Sequence, residues 1–85
     1  MTESISIRVQ LFAGASDVAG SREIFVDVPS VPTVGMLRKV CAIQVPALAS
    51  LLERSMIAVN HDFADDSRII RYEDEIAVIP PVSGG

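Results

Sequence analysis

The sequence predicts an α+β domain in which one mixed sheet packs on one main helix. Three observations lead there: strand-period alternation over residues 4–12 and 22–28, a helical-period stretch over residues 33–44, and short apolar runs near residues 56–60 and 75–79. At 85 residues a single domain is expected.

From Ser4 to Phe12 the chain alternates, with Ile5, Ile7, Val9 and Leu11 on one side and Ser4, Ser6, Arg8 and Gln10 on the other. This is the pattern of a half-buried strand, and it puts Phe12 on the polar side. Ala13 to Ser21 is small and polar, a loop or short irregular helix, after which Arg22 to Val28 alternates again with Ile24, Val26 and Val28 inward. The two strands are expected to pair antiparallel. Pro29 and Pro32 then interrupt, because proline lacks the donor that a ladder needs, and Thr33 stands where an N-cap side chain accepts a hydrogen bond.

Val34, Leu37, Val40 and Cys41 recur at helical spacing, so residues 33–44 read as an amphipathic helix. Pro46 separates it from a shorter helical piece carrying Leu48, Leu51 and Leu52. Met56 to Asn60 reads as a strand, residues 61–66 as a polar turn region, and Arg68 to Arg71 as a further short extended piece. Glu75 to Ile79 closes the sheet, with Ile76 and Val78 inward and Ala77 and Ile79 outward. A hairpin, a helix and two or three more strands fit a β-grasp, ubiquitin-like roll. The competing ferredoxin-like topology wants a second full-length helix. The domain is expected to occupy residues 1–79, with 80–85 as an extended tail.

Composition narrows the function. Half the chain (49%) is hydrophobic and mean hydropathy is +0.42, so either the core is dense or apolar surface is reserved for a partner. With one Cys and one His, neither an internal disulfide nor a Cys/His zinc finger can be built. Seven basic against eleven acidic residues, a formal charge of −4, argue against nucleic-acid binding and toward protein or small-molecule partners. Met-Thr-Glu-Ser lacks the basic start of a signal peptide, and no run approaches the ~18 apolar residues of a membrane span. A soluble, cytoplasmic protein with no membrane partner is expected.

The strongest functional signal lies in Pro80-Pro81-Val82-Ser83-Gly84-Gly85. Two prolines end sheet pairing and favour an extended exit from the domain. Two glycines without Cβ can pass through a channel too narrow for side chains, which makes the α-carboxylate of Gly85 the candidate reactive group. The bland alternative is an inert, disordered end.

The run Asp74-Glu75-Ile76-Ala77-Val78-Ile79-Pro80-Pro81-Val82-Ser83-Gly84-Gly85 resembles the C-terminal signature of the MoaD family, the small sulfur carrier subunits of molybdopterin synthase. Val9-Gln10-Leu11-Phe12-Ala13 and Ile57-Ala58-Val59-Asn60 resemble that family's first and third strands. Where the family commonly has Gly before the Asp-Glu pair, this chain has Glu73. The resemblance implies a carrier with no permanently bound cofactor. A MoeB-like adenylating enzyme would activate Gly85 with ATP and Mg, and a sulfur donor protein would convert it to a thiocarboxylate. The product would deliver sulfur to cyclic pyranopterin monophosphate in the large subunit, MoaE, within a heterotetramer. Gly84, Ser83, Val82, Pro81 and Pro80 would form the threaded tail. A ThiS-like or other sulfur carrier, or a ubiquitin-like protein modifier, are the alternatives.

Other residues sort by surroundings. Cys41 sits at the apolar spacing of the helix and reads as a buried small hydrophobe. His61 reads as a surface turn residue. Asp62, Asp65, Asp66, Glu73, Asp74 and Glu75 read as a solvated acidic face, with steering of a basic partner as the alternative. Phe12, Phe63 in a polar loop and outward Ile79, with Val82 beyond it, are the candidate anchors for the large subunit, provided the fold brings them together. The alternative for Phe63 is that it folds back to plug the sheet.

Overall fold

The structure, a computed structural model, describes residues 4–81. Five strands are present: β1 (Ser4–Leu11), β2 (Glu23–Pro29), β3 (Met56–Val59), β4 (Asp62–Ala64) and β5 (Ile76–Ile79). The helices are α1 (Ala13–Ala19), α2 (Val34–Gln44) and α3 (Ala49–Arg54), the last entered through a 3₁₀ turn at Pro46–Leu48. The strand order is β2-β1-β5-β3-β4, with β1 and β5 parallel and the other pairs antiparallel. This is the mixed-sheet β-grasp roll that the element order predicts.

Alternation decides which face of the sheet is covered. Ile7, Val9 and Leu11 from β1, Val26 and Val28 from β2, Ile57 and Val59 from β3, and Ile76 and Val78 from β5 are all buried. They meet Val34, Leu37 and Cys41 of α2 together with Leu48 and Leu52. Burial of the Cys41 thiol pushes its pKa up to about 11, the behaviour of a packed hydrophobe rather than a nucleophile.

The first turn of α2 is fully capped within the chain. Thr33 Oγ1 accepts from Met36 N at 3.2 Å, while Val34 N and Gly35 N donate to the carbonyls of Arg68 and Asp66. A Cβ at Gly35 would lie 3.2 Å from Asp66, so this close approach of loop and helix favours glycine. Arg38, one turn further along α2, donates to the carbonyls of Leu52 and Ser55 at the end of α3 and pairs with Asp66 at 3.1 Å.

Two local expectations need correction. Residues 62–64 form the edge strand β4 rather than belonging to a polar turn, because Asn60 (φ 51°) and His61 (φ 72°) make a two-residue hairpin of left-handed residues. Phe63 is therefore a strand residue opposite Ala58, and at 63% exposure it does not plug the sheet. Residues 68–71 contribute only an isolated bridge between Ile69 and Thr33 instead of an extended piece of the sheet. Of the two alternatives for the stretch after β1, the helix is the one formed, over residues 13–19, closed by Gly20 at φ 71°. Glu73 is not among the left-handed residues, so its turn accommodates a side chain without strain.

Candidate functional site

In a two-layer domain the sheet face away from the helices is ordinarily polar. Here β3 and β5 are apolar on both faces. The register lines up Gln10, Ala77, Ala58 and Phe63 across the outward side of β1, β5, β3 and β4, and sets Ile79 opposite Met56 in the next row. Phe12 follows β1 in extended conformation and its N–H donates to Val78 O at 3.3 Å, which holds it beside the end of β5.

Phe12, Phe63 and Ile79 thus line one shallow hollow of about 200 Å³, floored by Ala58 and Ala77 and edged by Gln10, His61 and Glu75. The fold brings the three predicted anchors together. Met56 (49% exposed) adds to the same face and was missed by sequence reasoning; the outward register of β3, which it shares with Ala58, is the signal that points to it. Small alanines between larger rim residues make a concave apolar surface that a protruding partner side chain can fill.

The rim beside β5 is built by hydrogen bonds. Asn60 N donates to Glu75 O at 2.8 Å, Asn60 Oδ1 accepts from Glu75 N at 2.9 Å, and Asn60 Nδ2 donates to Asp74 Oδ1 at 3.0 Å. His61 Nε2 lies 3.0 Å from Glu75 Oε2. Asp74 also accepts from Arg71 N at 2.7 Å, and this bond above all holds its carboxyl below the usual carboxylate range. Asp65 is lowered chiefly by the Ser67 hydroxyl and amide. Glu73 and Glu75 are exposed and Asp74 half-buried, and together they line an adjoining hollow, so this flank is acidic.

β5 is the central strand, paired on both sides, and the chain leaves it beside this hollow. Pro80 is buried and Pro81 exposed. Val82, Ser83, Gly84 and Gly85 lie outside the described residues. Among the described residues no cluster of His, Cys, Asp and Glu could hold a metal, and no helix is long and apolar enough to cross a membrane.

Residues 9–85 match the ThiS family. The chain is 40% identical to the molybdopterin synthase sulfur carrier subunit of Dictyostelium discoideum, covering 96% of this chain and 99% of that protein. It is 33% identical to the subunit of the same name from Arabidopsis thaliana, covering 99% and 88%. The crystal structure of small archaeal modifier protein 1 from Haloferax volcanii superposes with a TM-score of 0.82 at 33% identity, covering 94% of this chain and 99% of that one.

Proposed function

The chain belongs to the ThiS family, and from that membership we propose that it is the sulfur carrier subunit of a molybdopterin synthase. The observation that carries the proposal is the match of nearly the whole chain to curated subunits of that name.

The chemistry is that of a carboxylate made reactive elsewhere. Resonance and negative charge make the Gly85 carboxylate a poor electrophile, so a MoeB-like enzyme joins it to AMP using ATP with Mg. Sulfur from a donor protein then displaces AMP and leaves a thiocarboxylate. In the large subunit that thiocarboxylate is the soft nucleophile that passes sulfur to cyclic pyranopterin monophosphate, within a heterotetramer. Residues 72–85 contain no Lys or Arg, so the basic groups for this step come from the partner. Gly84, Ser83, Val82, Pro81 and Pro80 are the threaded tail, and the hollow at Phe12, Phe63 and Ile79 is the docking face for the large subunit.

Incubation with the adenylating enzyme, ATP and a sulfur donor should raise the intact mass by the difference between sulfur and oxygen. The likeness to an archaeal modifier protein favours a second reading, protein conjugation, whose product is an amide to a target lysine. Recovery only as lysine conjugates, with no free thiocarboxylate, would overturn the carrier reading in its favour. Ile79→Asp, which places a charge on the docking face, should weaken the large-subunit complex roughly 100-fold with an unchanged melting curve. Wild-type affinity in that variant would remove the hollow from the interface.

A further inference from the structure

Gln10 occupies an unusual position on the outward face. It sits between Glu23 of β2 and Ala77 of β5 in the strand register, and among the described residues it borders three adjoining hollows of that face. One is the apolar hollow, one runs toward Asp74 and Glu75, and one runs toward Arg22. Gln10 is half-buried, and its side chain hydrogen-bonds to no other described residue. The neighbouring ions are less open to a partner: Arg8 pairs with Glu23 at 3.1 Å, and Glu75 with His61.

A carboxamide carries two donor hydrogens and an acceptor oxygen. In the free chain water serves them. A partner that covers the hollow strips that water away, and an amide then left without a hydrogen-bonding group opposes binding. The group that matches both halves at once is another amide, and a crossing stretch of main chain offers an N–H and a C=O together.

We propose that Gln10 is a specificity-determining contact, its carboxamide pairing with main-chain N–H and C=O groups of the large-subunit segment whose apolar side chain fills the hollow over Ala58 and Ala77. The proposal rests on the carrier reading above. The flanks orient that segment, with its basic groups toward Glu73 and Asp74 and its acidic groups toward Arg22. A partner with an all-apolar surface at this point is rejected, because it leaves the Gln10 amide dry and unpaired.

The test is the affinity of the large subunit from the same organism for wild type, Gln10→Leu, Gln10→Ala and Ile79→Asp, with thermal melting of each variant alone. Gln10→Leu should melt as wild type does and bind about tenfold more weakly, mostly through faster dissociation. Gln10→Ala, which adds no apolar bulk, should show the same loss. Unchanged or tighter binding by both Gln10 variants, with Ile79→Asp still disrupting the complex, overturns this proposal alone. Absence of any complex with the wild-type chain overturns the carrier reading and this proposal with it.

Discussion

A chain carrying one extra residue after Gly85 should fold and bind the large subunit like wild type yet form no thiocarboxylate and transfer no sulfur. In the carrier reading the reacting atoms are the carboxylate at the end of the tail. One further extended residue moves that group by about 3.3–3.6 Å. A misplacement of 1 Å at a reacting centre costs on the order of 100-fold, so a loss of at least that size is expected. Activity is read by single-turnover sulfur transfer, and integrity by the melting curve and the affinity for the large subunit. Full transfer by the extended chain would sink the assignment of Gly85.

The second large effect concerns stability and lies away from the hollow. Arg38 reaches from α2 to two carbonyls at the end of α3 and to Asp66 in the loop that caps α2, with only 20% of its side chain exposed. Arg38→Met keeps the apolar stem but leaves those carbonyls without their shared donor. Hydrogen bonds from a charged group contribute about 1.5–3 kcal/mol, and while Leu52 O keeps Ser55 N–H as a donor at 3.3 Å, Ser55 O loses the guanidinium. A decrease of about 2–3 kcal/mol is expected, out of the roughly 4–13 kcal/mol that a domain of this size commands. The urea midpoint should fall with its slope unchanged. Lysine at this position should recover only part of the loss, since a point charge cannot span three acceptors. A change below about 0.5 kcal/mol in Arg38→Met would show that water replaces the guanidinium freely.

The two kinds of prediction differ in how visible their residues were beforehand. Gly85 stands out in the sequence because Pro-Pro-Val-Ser-Gly-Gly is a local pattern. Arg38 does not, because its partners lie 14, 17 and 28 residues away and nothing local marks it as more than a solvated helix residue. The hollow falls between these cases. Outward Ile79 and Phe12 follow from alternation alone, but Phe63 reads as a loop residue because Asp62-Phe63-Ala64 is too short and polar to read as a strand. The missed cue was Asn60, a residue that tolerates left-handed backbone in a two-residue hairpin gap.

The hydropathic excess is likewise only partly settled by the hollow. Ile43 and Val31 are 78% and 71% exposed, more than Phe12 or Phe63, and lie on α2 and in the β2–α2 connection.

The sequence by itself determined the alternation of β1 and β2, the Thr33 cap and apolar stripe of α2, the burial of Cys41 and the family signature of the tail. Each depends on residues within one or two turns of each other, where periodicity and capping act directly. Only the tertiary structure decided that β5 runs between β1 and β3, that β4 pairs at the edge, and that Phe12, Phe63, Ile79 and Gln10 share one face. Those outcomes depend on strand order and register between distant segments. They are set by the joint burial of the inward faces against α2, which no single stretch of sequence specifies.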